Sequence, residues 1–214
     1  VYTLNASVTS NATCINITAN NITLNCQGFE INYSSSSTGY GIYAINVNNS
    51  LIRDCNLRQK STLNFGYGIY FNGGWNGTIV NVSINTSGTN GYGIYFSSTK
   101  FASAYNFTIN VSGSGSSGVY DGGINTTLKG GYLTGNRGIW SDGDQANVSD
   151  IFVNTTSGIT VAGNNGVYNN LSLHAAGISV WGDSNSFSNI TIRTTGSVTG
   201  ITYGAGPSTT ANSN

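Results

Sequence analysis

The 214-residue chain has no methionine, one proline and one histidine, and charged residues make up only 7% of it, against roughly 25% in ordinary soluble domains. Seven basic and seven acidic side chains leave a formal net charge of zero, which excludes the basic footprint that attracts nucleic acid or an acidic membrane. No apolar run approaches the roughly 20 residues of a membrane-spanning helix, and no basic segment precedes an apolar one at the start. The chain opens at Val1 and not at Met, as expected of a processed or trimmed form. A neutral surface this poor in charge associates or precipitates unless something else solvates it or association is its purpose.

Helical periodicity is also missing. The chain repeats two short marks instead. A Gly-Ile or Gly-Val step recurs at Gly41, Gly68, Gly93, Gly118, Gly138, Gly158, Gly177 and Gly200. An Asn or Asp followed by apolar, small and apolar residues recurs at Asp54, Asn81, Asn106, Asp150, Asn170 and Asn189, with Asn25 assigned to the same position in the first coil and Gly130 to a degenerate copy. The marks keep step, contracting from roughly 27 residues per copy to about 19, which is the period range of a solenoid. Period-two alternation broken by Asn and Gly gives three strands per copy. The first carries Ile42, Ile69, Ile94, Ile139, Ile159 and Ile178; the second Ile52, Ile79 and Val167; the third pairs such as Cys55 and Leu57 or Val82 and Ile84. Eight ladder positions at about 4.8 Å give a column about 38 Å long.

Catalytic groups are scarce. Glu30 is the only Glu; of the six Asp residues, Asp54 and Asp150 occupy the repeated turn, and only Asp142 and Asp144 form a local pair, which reads as a solvated turn before it reads as a calcium site. His174 alone builds neither a nucleophile-base pair nor a metal cluster. No catalytic residue, metal site or cofactor is assigned.

Two other constellations stand out. The sequon Asn-x-Ser/Thr occurs about twice as often as chance placement gives. At Asn81, Asn106, Asn170 and Asn189 it coincides with the turn ladder, where stacked amides and left-handed backbone explain the Asn, and burial there would exclude a sugar. Asn85, Asn110 and Asn154 fall four residues past the ladder, and Asn76 and Asn125 share another outer turn. These five are the expected glycan carriers, and covalent N-glycans would supply the solvation that charge does not. The second constellation is aromatic: Tyr43, Tyr70, Tyr95, Tyr120 and Trp140 each follow the inward residue of a first strand and form an outward stripe, widened by Tyr40, Tyr67 and Tyr92. Its readings are mutual stacking, a platform for sugar rings, or a contact face for another subunit.

The phrase from Cys14 to Phe29, Cys-Ile-Asn-Ile-Thr-Ala-Asn-Asn-Ile-Thr-Leu-Asn-Cys-Gln-Gly-Phe, followed by Gly39-Tyr-Gly-Ile-Tyr, resembles the opening of right-handed parallel β-helix proteins of the broad pectate-lyase-like group. Within it the likeness is to secreted surface proteins of archaea and to repeat modules of periplasmic nitrous-oxide-reductase maturation proteins. The resemblance implies an all-β chain folded as a single right-handed parallel β-helix of about eight coils, with 1–13 as lead-in or cap, 14–204 as the helix and 205–214 as a polar tail. It covers lyases, hydrolases, adhesins, metal-delivery and structural proteins, so it does not choose an activity. It favours a Cys14 to Cys26 disulfide, while Cys26 and Cys55 would sit in adjacent coils at a workable separation. The expected function is an extracellular structural protein, a glycosylated subunit of an archaeal surface filament, sheath or coat. Its partner is itself, through the β-helix ends or the stripe, with glycans as a second possible partner. The alternative is a carbohydrate-binding, less readily a carbohydrate-cleaving, β-helix module.

Overall fold

The computed structural model describes residues 1–174, 177–194 and 200–204, and the proposed tail 205–214 lies outside them. Nine strands occupy the first half: β1 (Tyr2–Thr3), β2 (Val8–Thr9), β3 (Ile15–Ile17), β4 (Thr23–Asn25), β5 (Glu30–Tyr33), β6 (Tyr40–Ile45), β7 (Leu51–Gln59), β8 (Tyr67–Asn72) and β9 (Thr78–Thr86). The second half holds β10 (Tyr92–Lys100), β11 (Ser103–Val111), β12 (Ser117–Ile124), β13 (Thr127–Ser141), β14 (Asn147–Val161), β15 (Val167–His174), β16 (Ile178–Val180), β17 (Ser186–Arg193) and β18 (Ile201–Tyr203). Every ladder among them is parallel and joins a strand to its counterpart one coil away. The result is an all-β parallel solenoid of about eight turns with three faces.

Because each rung sits directly on the last, inward residues form continuous columns. On the first face Ile15, Ile42, Ile69, Ile94, Val119, Ile139, Ile159, Ile178 and Ile201 stack in one column. On the second face the column runs Tyr2, Leu24, Ile52, Ile79, Ala104, Leu128, Val148, Tyr168, Phe187. On the third it runs Val8, Ile31, Leu57, Ile84, Ile109, Leu133, Val153, Leu173, Ile192. The repeated glycine before the first-face Ile makes room for the third-face column. A Cβ on Gly68 would stand 2.4 Å from Ile84 and one on Gly93 2.3 Å from Ile109.

The second and third faces are joined through a left-handed corner, so β7, β9 and β11 each run through both. Asp54, Asn81, Asn106, Asp150, Asn170 and Asn189 hold that corner with φ between 51° and 56°, and Gly130 takes it with φ 70°. Asn and Asp tolerate this region because their short polar side chains bond locally. Asn25 is a correction to the ladder: it pairs with Arg53, one residue short of the corner. The first coil inserts Gln27 and Gly28, both at positive φ, before the register resumes at Glu30 opposite Asn56. Val167 is a second correction. It is exposed and pairs with Asn147, and Tyr168 fills the inward column in its place.

In the lead-in, strands β1 and β2 continue the second-face and third-face ladders through Tyr2 on Leu24 and Val8 on Ile31.

The cysteines give a third correction. Cys26 is bonded to Cys55, with Cα atoms 4.8 Å apart, and Cys14 is free. The two extra residues of the first corner follow Cys26 and leave it one strand spacing above Cys55, with its N–H donating to the Arg53 carbonyl at 3.0 Å. Cys14 starts the first face, where its N–H donates to the Tyr40 carbonyl. The bond closes a sequence separation of 29 residues, a loop for which chain entropy gives about 3 to 4 kcal/mol. Replacing both partners (Cys26→Ser with Cys55→Ser) should lower the unfolding free energy by about that amount, while Cys14→Ser leaves it nearly unchanged. Denaturant melts with non-reducing peptide maps check both.

Candidate functional site

The first face carries two outward columns of rings. Tyr43, Tyr70, Tyr95, Tyr120 and Trp140 are successive ladder partners, as are Tyr40 and Tyr67. Tyr92 continues the second column against Tyr67 with centroids 5.1 Å apart. Along the first column the centroid spacings are 5.1, 4.6, 4.7 and 5.8 Å. The columns interlock, with Tyr67 edge-on to Tyr95 at 5.1 Å. All eight rings are half-buried against one another. Tyr40 on Tyr67 and Tyr70 on Tyr95 are stacked face to face, with interplanar angles of 17° and 16°. Others meet edge to face, as Tyr95 and Tyr120 do at 86°, so each ring spends part of its surface on its neighbours.

Trp140 ends the slab, since its partner in the next coil is Thr160. Arg137 lies 4.5 Å over the Trp140 ring, a cation held on a π face. Asp142 accepts from the Tyr120 hydroxyl and from Trp140 Nε1, each at 2.6 Å. Burial, and then that bond to Asp142, pushes the Tyr120 phenol up. Burial, and then crowding by neighbouring tyrosines, raises Tyr40, Tyr67 and Tyr92.

The acidic pair does not converge. Asp144 Oδ1 accepts from the backbone N–H and side-chain amide of Asn164, at 2.8 and 3.1 Å, in a different ladder from Asp142. Among the described residues no group of three or more His, Cys, Asp or Glu is placed to hold a metal. His174 sits on the third face, its ring 4.7 Å from Phe152, which in turn stacks on Tyr132 at 5.1 Å. This second aromatic patch shows in the sequence only as rings two residues after Gly130 and Asp150.

The sequon asparagines fall into columns. Arg58, Asn85, Asn110, Thr134, Asn154, His174 and Arg193 are consecutive partners on the third face, and Asn85, Asn110 and Asn154 are exposed. Asn76 and Asn125 belong to a second left-handed column with Asn21, Asn49 and Asn165. Asn76 is exposed, and its amide donates to Asn49 Oδ1 at 3.0 Å; Asn125 is half-buried. The corner ladder is itself on the surface. Asn81, Asn106, Asn170 and Asn189 are exposed, which corrects the expectation that burial keeps sugar off them. Three of these amides are tied along the stack: Asn81 donates to Asp54 at 3.2 Å, Asn170 to Asp150 at 2.6 Å and Asn189 to Asn170 at 3.0 Å. At Asp150 the Asn170 amide, aided by Lys129, holds the carboxyl below its ordinary range.

One acid lies inside. Asp121 occupies the inward column between Phe96 and Ser141 and is fully buried. It accepts from Thr126 Oγ1 at 2.5 Å, from Gly123 N at 3.1 Å and from Ser141 Oγ at 3.5 Å, and Tyr168 OH donates to Ser141 Oγ at 3.2 Å. The sequence signal was its phase, three residues after Gly118 as Phe71 and Phe96 follow Gly68 and Gly93.

No family model matches the chain, and no curated protein or solved structure is similar enough to it to count as a match.

Two outcomes are expected. Tyr95 touches four rings, Tyr67, Tyr70, Tyr92 and Tyr120, so Tyr95→Ala should cost about 2 to 3 kcal/mol and Tyr95→Phe far less, read by thermal or denaturant melts. Burial raises the Asp121 carboxyl from 3.8 to about 6. The native state therefore holds this proton more tightly than the unfolded chain, and the group's stabilising contribution is full below pH 3.8 and lost as pH rises through about 6. Asp121→Asn keeps the acceptor for Gly123 and donates to hydroxyls that can rotate. It should stabilise the protein by about 2 to 3 kcal/mol at pH 7 and by little at pH 4, flattening that slope.

Proposed function

We propose that the chain is a glycosylated structural subunit of an extracellular assembly, a filament, sheath or coat on an archaeal cell surface, built on a right-handed β-helix of the pectate-lyase-like kind. The observation that carries this reading is the outward column of Asn85, Asn110 and Asn154 on a rod with almost no charge. A charge-poor surface needs another source of solvation, and N-linked sugar on exposed asparagines is one. The parallel stack supports a mechanical role. Its core is a set of stacked apolar columns, interrupted by Asp121 and Ser141 on the first face and cross-tied by amide ladders and by the Cys26 to Cys55 bond.

The carbohydrate-binding alternative rests on the aromatic face. A sugar platform needs open ring faces, and here the rings are half-buried against one another, which favours the structural reading. Trp140 ends the row, with Tyr120 as its ring neighbour and Arg137 over its ring, so a sugar stacking there would have to displace the guanidinium.

Glycopeptide mapping and electron microscopy of protein from its native source test the proposal. Sugar is expected on Asn154 and, on any one chain, on Asn85 or Asn110, since these two are ladder neighbours about 4.8 Å apart and crowd each other. Bare asparagines on isolated particles would sink the structural reading, and retention on a glycan array that is lost in Trp140→Ala would replace it with the alternative.

A further inference from the structure

We infer that the corner before the second face carries sugar on alternate coils, at Asn21, Asn76 and Asn125, and that the sugars of Asn76 and Asn125 lie on Trp75, Phe101 and Ile124. The inference rests on the glycosylated reading above and adds to it a second row of sites and the surface on which the row rests. The left-handed column at this corner runs Asn21, Asn49, Asn76, Phe101, Asn125 and Gln145, with φ between 53° and 61°. Only alternate members are sequons. Asn21-Ile-Thr, Asn76-Gly-Thr and Asn125-Thr-Thr carry the motif, while Asn49-Ser-Leu, Phe101-Ala-Ser and Gln145-Ala-Asn do not. At about 4.8 Å per rung, successive sequons in the column are about 10 Å apart. One rung gives two sugar rings no room to lie side by side, and two rungs do. The sequon at Asn48 lies one residue outside the column, half-buried, with its side-chain oxygen accepting from the Trp75 N–H at 3.1 Å.

Phe101 is the member that breaks type. The Asn76 N–H donates to the Lys100 carbonyl at 3.0 Å and the Phe101 N–H to the Ile124 carbonyl at 2.9 Å, so Phe101 stands one rung from Asn76 and one from Asn125. At φ 55° a bulky side chain is an outlier, because it forms none of the local bonds by which Asn tolerates this region. The core does not compensate, since the side chain is 51% exposed. An Asn at this position would complete Asn-Ala-Ser, a sequon crowding both neighbours. Phe leaves the rung free of sugar and offers a ring instead. Trp75 and Ile124, the residues just before the two sequons, are 51% and 43% exposed and pair with Lys100 from either side. Three exposed apolar side chains thus lie within one rung of two attachment points. The C–H face of a pyranose covers such a surface while its hydroxyls stay in water, and the covalent tether makes a small contact area sufficient. The attachment point is also held in place. The Asn76 amide donates to Asn49 Oδ1 at 3.0 Å and the Asn49 amide to Asn21 Oδ1 at 3.3 Å, and a glycosylated amide nitrogen keeps the one N–H that the Asn76 bond needs.

Glycopeptide mapping with intact mass, on protein from its native source, should find Asn21, Asn76 and Asn125 occupied together in one chain. Hydroxyl-radical footprinting then compares that protein with the same 214-residue chain made in a host without N-glycosylation. Trp75 and Phe101 should oxidise severalfold more slowly with sugar present, and Trp181, exposed elsewhere on the rod, at an unchanged rate. Phe101→Ala should lower the melting temperature of the glycosylated protein by about 2 to 4 °C and leave that of the bare chain nearly unchanged. An equal drop in both would make Phe101 a packing residue and overturn the inference. Equal oxidation of Trp75 and Phe101 in the two samples, with the sites occupied, overturns it as well. If any of Asn21, Asn76 and Asn125 is bare while Asn85, Asn110 or Asn154 carries sugar, the alternate row falls and the structural reading stands. Bare asparagines throughout remove both.

Discussion

The parallel ladder between coils is the constraint on which the rest depends. Hydrogen bonds fix each residue above its counterpart, about 4.8 Å away, so every choice of side chain is repeated against itself. Isoleucine on isoleucine packs well, amide on amide bonds in a chain, and ring on ring stacks. Charge on like charge does not: two unit charges 5 Å apart in water cost roughly 0.8 kcal/mol, and more near a protein surface. Among the paired residues no two side chains of like formal charge are ladder partners. Arg58 lies between Asn32 and Asn85, Lys129 between Tyr105 and Ser149, and Arg137 between Ser117 and Ser157. The scarcity of charge is therefore a consequence of the fold as well as a property of the surface.

The same constraint explains which parts of the molecule can be read from its sequence. The corner from Asp54 to Asn189 is legible because φ near +55° admits few residue types, and those types recur in phase. Even the degenerate copy obeys. Gly130 holds the corner, and its neighbour Gly131 gives up its side chain to Phe107, whose ring would stand 2.4 Å from a Cβ there. The first coil is illegible for the complementary reason. It has a single neighbour to align with, so the two extra residues at Gln27 and Gly28 leave no periodic trace. That shift displaced Asn25 from the ladder and turned the choice of cysteine partner. Tyr168 was missed because Val167 is equally apolar and alternation alone does not say which of two adjacent residues points inward.

The surface was legible as columns but not as contacts. Phase was enough to place Asn85, Asn110 and Asn154 on one face and five aromatic residues on another. It did not show how the rings interlock, that Asp142 ties Tyr120 to Trp140, or that Asp121 is buried at the position Phe71 and Phe96 fill elsewhere. Those facts depend on side-chain rotation and on the shorter coils after Ser117, where the turn before the first face contracts and β13 and β14 run unbroken through all three faces.

The aromatic face shows what this repetition does at the surface. Each ring packs on the ring of the coil before it, and Arg137 over Trp140, with Asp142 bonded to Tyr120 and Trp140, closes the row where the next partner is Thr160. A molecule meeting this face would compete with contacts that the rings already make with one another, so the first effect of the slab is to stiffen the rod.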